Sequence, residues 1–164
     1  MTNSAALKIV ARGDREIVMT RSFNAPRDLV FRAFTEPELL KRWLLGPDGW
    51  VLAVCDIDLR VGGSYRYVWR RESNGTEMGM GGVYREISPP TRIVSTEKFD
   101  QAWYEGEAIG TLDLVEQRGI TTITQTLLYE SRNTRDAVLK SPMEQGVGAS
   151  YNRLENVLSS IKPD

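Results

Sequence analysis

The sequence contains no histidine, a single cysteine, and no uninterrupted apolar run near the ~20 residues that a membrane-spanning helix needs. Without imidazole there can be no Ser-His-Asp or Cys-His site, and the common zinc sites, which draw on His or several Cys, are excluded. Any catalysis has to rest on carboxylates, Tyr, Lys or Arg. Cys55 alone cannot close an intramolecular disulfide, and Met1 to Glu16 carries neither the apolar core nor the cleavage site of a signal peptide. A cytoplasmic location without membrane insertion is therefore expected. Charge of one sign is also lacking: 21 Lys and Arg stand against 22 Asp and Glu, so no net field draws the chain onto nucleic acid. At 164 residues a chain of this kind buries ~70% of its unfolded surface, and a single domain over residues 1–164 is expected, needing neither disulfide nor metal.

The first fifteen residues are mixed and broken by Gly13, which predicts a loosely ordered tail. Alternation from Glu16 to Phe23 predicts a strand, with Ile17, Met19 and Arg21 on one side. After Pro26 the period becomes helical through Leu29, Val30, Ala33 and Phe34, and a second short helix carries Leu39, Leu40, Trp43 and Leu44. Thr35 with Glu38 has capping-box spacing there. From Trp50 to Tyr129 the pattern is strands and turns, six in antiparallel succession, with Asn74-Gly75 predicting a type I′ hairpin and Arg118-Gly119 another reversal. Thr134 is placed to cap a short helix through Lys140, and Ser141 with Glu144 is a further capping box. Met143, Val147, Ser150, Tyr151, Leu154, Val157, Leu158 and Ile161 then share one face of a long helix that Pro163 ends.

This order predicts an α+β fold: a curved antiparallel sheet of about seven strands, two short helices after the first strand, and a long C-terminal helix over a cavity. Such a space suits a small apolar or aromatic ligand. The chain resembles the START-like, or SRPBCC, superfamily with its helix-grip fold, and within it the domain related to the activator of the heat-shock chaperone ATPase. The resemblance rests on Arg21-Ser22-Phe23-Asn24-Ala25-Pro26, on Val30-Phe31-Arg32-Ala33-Phe34-Thr35-Glu36-Pro37-Glu38 leading to Trp43, and on Asp58-Leu59-Arg60-Val61-Gly62-Gly63. It continues through Gly82 to Val94 and through Met143-Glu144-Gln145-Gly146 to Arg153-Leu154. Membership in that superfamily implies hydrophobic-ligand carriers, cyclase-type enzymes or co-chaperone domains, and only the resemblance suggests a chaperone partner.

The strand face Tyr65, Tyr67, Trp69 reads either as ordinary core or as a pocket wall, the latter because two hydroxyls and an indole N–H need partners. Trp43, Cys55, Ile57, Tyr84 and Trp103 are candidate neighbours of the same space, with Met143, Val147 and Tyr151 facing it from the long helix. Gly146 and Gly148 inside that helix mark either close packing or a flexing end that opens a portal. Glu97, on the face shared by Ser95 and Phe99, is a weak catalytic candidate whose pKa desolvation would raise; a buried structural glutamate is the other reading.

Asp56, Asp58 and Arg60 share a face but supply too few oxygens for a hard cation, so no metal and no cofactor are expected. Ser95-Thr96-Glu97-Lys98 matches S-x-x-K only in letters, since residues three apart on a strand face opposite sides. Gly79-Met80-Gly81-Gly82 lacks a phosphate-loop lysine and reads as a bulge or close backbone approach. Three functions follow. The first is binding of a small apolar or aromatic molecule without catalysis; the second is a cyclase- or hydrolase-type enzyme using Glu97 with Tyr65 or Tyr67; the third is a co-chaperone-like interaction domain. An exposed apolar patch would further suggest a homodimer.

Overall fold

The computed structural model describes residues 7–100, 104 and 106–161. Its sheet is antiparallel throughout and built from β1 (Lys8–Arg12), β2 (Glu16–Phe23), β3 (Trp50–Ile57), β4 (Ser64–Arg71), β5 (Glu77–Ser88), β6 (Arg92–Phe99), β7 (Ala108–Gln117) and β8 (Ile120–Leu128). The spatial order is β1-β2-β8-β7-β6-β5-β4-β3. Helices α1 (Arg27–Thr35) and α2 (Pro37–Trp43) follow β2, and α3 (Arg132–Lys140) and α4 (Met143–Ser160) follow β8. This is the helix-grip arrangement. Bulges between Leu52 and Val54 and between Tyr84 and Glu86 add local twist, which helps the strands wrap the helices.

Eight strands replace the expected seven because residues 8–12 of the expected tail form a strand. Lys8 to Arg12 pairs with Glu16 to Thr20, and the buried Arg135 of α3 donates to Glu16 O at 2.9 Å and Gly13 O at 3.2 Å, fastening the connecting turn. β1 is mostly exposed, so it has no alternation to read.

The hairpin chemistry is exchanged between two turns. Arg118 (φ 55°) and Gly119 (φ 79°) both take the left-handed region between paired Gln117 and Ile120, the two-residue primed turn. At Asn74-Gly75 only Gly75 does so, and its N–H reaches Arg71 O across a longer loop while Asn74 Oδ1 accepts from Thr76 N–H.

Three expected caps are also corrected. Thr35 Oγ1 donates back to Phe31 O at 2.9 Å, leaving Glu36 as the N-cap of α2. Ser131 rather than Thr134 caps α3, accepting from Thr134 N–H at 3.1 Å. Ser141 Oγ turns back to Val138 O, so α4 begins without a side-chain cap. In each case a nearby backbone carbonyl or amide of the helix end competes for the hydroxyl.

The main core joins α1, α2 and the second half of α4 to the sheet through Phe23, Val30, Leu40, Trp43, Leu114, Ile123 and Leu154. A smaller cluster under α3 holds Ile17, Met19, Leu127, Tyr129 and Val138. The second half of α4 is also held by polar contacts. Arg21, almost fully buried, lies 4.9 Å over the Phe23 ring, donates to Asn152 Oδ1 at 3.1 Å and faces Glu155 Oε1 at 3.5 Å. Arg153 donates to Gly46 O at 2.7 Å and pairs with Asp48 at 2.9 Å. The first half of α4 is different: an added Cβ at Gly146 or Gly148 would meet nothing within 4 Å, which overturns the close-packing reading of both glycines. Among the described residues no helix is long and apolar enough to cross a membrane.

Candidate functional site

A cavity of about 100 Å³ opens on the helix-covered side of the sheet. Five adjacent strands supply its wall: Tyr65 and Tyr67 from β4, Met80 and Tyr84 from β5, Ile93, Ser95 and Glu97 from β6, Gly110 and Leu112 from β7, and Gln125 from β8. Phe34 closes it from α1. The spacing of two along β4 and β6 places these side chains on one face.

Tyr65 is fixed at a point where two backbones nearly touch. A Cβ at Gly82 would lie 1.9 Å from Thr96 O and 2.9 Å from Tyr65 Cε2, so only glycine leaves room there. Through that gap the Tyr65 hydroxyl donates to Thr96 O at 2.7 Å, and Val83 N–H donates to Thr96 Oγ1 at 2.9 Å. The Gly79 to Gly82 run is therefore a close backbone approach, with the bulge just beyond it. Tyr84 is set by the turn after β3: Gly62 N–H donates to Tyr84 O at 2.8 Å, and Tyr84 N–H donates to Gly63 O at 2.9 Å. The rings of Tyr65 and Tyr67 stand 5.1 Å apart, and those of Tyr65 and Tyr84 5.4 Å apart.

Glu97 stands on this wall while neighbouring Lys98 is exposed. Among the described residues no hydrogen bond or ion pair reaches it, and desolvation pushes its carboxyl up to about 7. Burial raises Tyr65 and Tyr67 far above ordinary phenol values, with the Glu97 charge adding to the effect in both. Neither phenol is poised to lose a proton near neutrality. Gln125 is met from the helix side by the Tyr151 hydroxyl, 3.3 Å from its Oε1.

Of the residues expected to share a pocket, Tyr65, Tyr67 and Tyr84 stand together on the wall. The other described ones stand off it. Trp43 is fully buried and its Nε1 donates to Ala33 O at 2.9 Å; Trp69 Nε1 donates to Leu44 O at 2.9 Å. Cys55 is buried on β3 opposite Tyr67, its thiol pushed up to about 11 by burial, and Ile57 packs on the core edge. Met143 packs on the cluster under α3, Val147 between the two clusters, and Tyr151 in the main core. Trp103 lies outside the described residues. Phe34, Met80, Ile93, Gly110, Leu112 and Gln125 are wall residues that the pattern did not single out.

Elsewhere, a groove of about 420 Å³ runs past Asn24, Pro26, Leu29, Gly119 and Leu158, and among the described residues no titratable side chain lines it. Asp58 is engaged by Arg60 at 2.9 Å in an exposed pair. Among the described residues no three metal-ligating side chains converge.

The model of the family described as Activator of Hsp90 ATPase homolog 1-like protein matches residues 24–159. Among solved structures, a protein from Rhodobacter sphaeroides is 28% identical with a TM-score of 0.90, over 96% of this chain and 100% of its own. A protein from Chromobacterium violaceum is 30% identical with a TM-score of 0.73, over 92% of this chain and 99% of its own. CalU16 from Micromonospora echinospora, at 20% identity and a TM-score of 0.61 over 96% of this chain and 85% of its own, shares the fold. None of the curated proteins compared with the chain matches it.

Proposed function

The chain belongs to the Activator of Hsp90 ATPase homolog 1-like family, and from that membership together with the cavity we infer that it binds a small, largely apolar molecule between sheet and helices. One observation carries the reading: an aromatic-walled space holds a carboxyl with no partner among the described residues. Such a half-buried carboxyl keeps its hydrogen-bonding capacity free toward the space, where a ligand can meet it. Size limits the ligand. Pockets for drug-sized molecules run to ~300–1,000 Å³, so a cavity of about 100 Å³ favours small molecules over steroids or long lipids.

Native mass spectrometry of freshly purified protein, followed by thermal melting against small apolar and aromatic compounds, tests this. A ligand at ~100 times its Kd adds ~2.7 kcal/mol and raises the melting temperature by several degrees. No adduct and no shift across the panel would overturn the reading.

A catalytic reading has one supporting observation, a carboxyl titrating near neutrality at Glu97. Against a Glu-Tyr acid-base pair stands the Tyr65 hydroxyl, already donating to Thr96 O. Turnover that survives Glu97→Gln would remove the carboxyl from any such role. The family's name also supports a chaperone partner for its members. An unchanged ATPase rate of the heat-shock chaperone in the presence of this protein would rule that out here.

A further inference from the structure

The charge and hydrogen-bonding character of the cavity narrows the ligand class, an inference that rests on the small-molecule reading above. We propose that the cavity is a site for a small primary alkylammonium ion, its nitrogen against Glu97 and its carbon chain among the tyrosine rings.

Three observations converge. First, the charge of the wall is one-sided. Glu97 brings a carboxyl to the space beside the neutral Ser95 hydroxyl and Gln125 amide, and among the described residues no lysine or arginine lines it. The buried guanidinium of Arg21 is already taken up by Asn152, Glu155 and the Phe23 ring. An anionic ligand would meet a carboxyl without a compensating charge, and a purely apolar one would leave that half-buried carboxyl unmatched. A primary ammonium offers three N–H donors and the opposite charge.

Second, the remaining wall is aromatic. Tyr65, Tyr67, Tyr84 and Phe34 surround the space, and ring faces attract cations most strongly where water is excluded. Third, a cavity of about 100 Å³ is well below the ~300–1,000 Å³ of pockets for drug-sized molecules. That suits an ammonium on a short alkyl chain. The groups around Glu97 are phenols: Tyr65 and Tyr67 on β4, Tyr104 before β7, Tyr129 after β8 and Tyr151 on α4, with the carboxylate of Glu107 acting on Tyr65 from farther out. None competes as a cation for the carboxyl.

The test is calorimetric titration of the full chain and of Glu97→Gln at pH 7 with n-butylammonium chloride, n-butanol and sodium butyrate, repeated in two buffers of different ionisation heat. The expected result is binding of the ammonium at least ~10-fold tighter than the alcohol, no binding of butyrate, and proton release on ammonium binding as the carboxyl ionises. Glu97→Gln should lose the ammonium preference while keeping the alcohol. Proton release is read on the unsubstituted chain, so the test survives a variant that fails to fold. Alcohol or butyrate binding as tightly as the ammonium overturns the ammonium assignment and leaves small-molecule binding standing. Absence of a response to all three probes also overturns it; the broader reading falls only if the melting panel is silent as well.

Discussion

Gly110 of β7, paired with Ser95 of β6, stands beside the carboxylate tip of Glu97: a Cβ on Gly110 would lie 4.0 Å from Glu97 Oε2 and 3.5 Å from Leu127 Cδ2, both ordinary contact distances. The cavity therefore borrows space from a missing side chain. Gly110→Ala fits without moving the backbone and lowers the entropy of the unfolded chain, so stability should hold or rise by ~0.4–1 kcal/mol. Ligand affinity should fall at the same time. A melting scan with titration of the same ligand checks both, and unchanged affinity would place the ligand elsewhere.

Glu97 makes stability depend on pH in an uncommon direction. Its folded-state value of about 7 lies above the ordinary 4.5, so the native state binds the extra proton between those values. Stability should then decline as pH rises from about 4.5 to about 7 and level off above, losing on the order of 3 kcal/mol at ~1.4 kcal/mol per unit. Glu97→Gln should flatten this slope and melt higher than the parent at pH 8, with little difference at pH 4. Parallel curves for the two proteins from pH 4 to 8 would contradict a desolvated carboxyl.

The two halves of α4 should differ in dynamics. Arg21, Ser150, Arg153 and Leu154 hold the second half, whereas Gly146 and Gly148 face open space in the first. Amides at 146–149 should exchange hydrogen much faster than those at 154–158. Replacing both glycines by alanine should add ~1 kcal/mol each and slow that exchange. Equal protection of the two halves in the parent would argue against a flexing end.

Arg21 should be costly to remove. Arg21→Met deprives Asn152 and Glu155 of a buried partner and should cost about 3 kcal/mol in denaturant unfolding. Adding Glu155→Gln should recover part of that loss. A double variant no more stable than Arg21→Met would show that the guanidinium acts through packing on Phe23 rather than through charge.

The strands from β2 to β8 were legible because a half-buried strand must alternate, and Ile17, Tyr65 and Tyr84 each lie on the buried side of theirs. The same period put Glu97 on one face with Ser95 and Phe99 but left open whether that face turns inward. Partners of polar tips were not legible. The Trp69 indole is expected to need a partner and Trp43 to line the same space, but carbonyls near the ends of α1 and α2 lack helical partners and take both N–H groups. Gly110 and Gln125 were missed for opposite reasons. A glycine contributes to a wall only by absence, and a glutamine between threonines reads as a solvent-facing strand residue until Tyr151 is seen across from it. The strand at 8–12 was not legible because the turn that follows it is fastened by distant Arg135, which no local pattern encodes.

β1 also shields the molecule from others like it. It forms one margin of the sheet, and it presents Lys8 and Arg12, with Arg12 held by Glu16 at 2.7 Å. Charged margins of this kind discourage strands of other chains from adding on. A chain shortened to begin at Arg15 would bare β2, whose consecutive Ile17, Val18 and Met19 are buried in the intact sheet. Such a chain should scatter light at temperatures where the parent stays clear, making the first strand a guard against polymerisation.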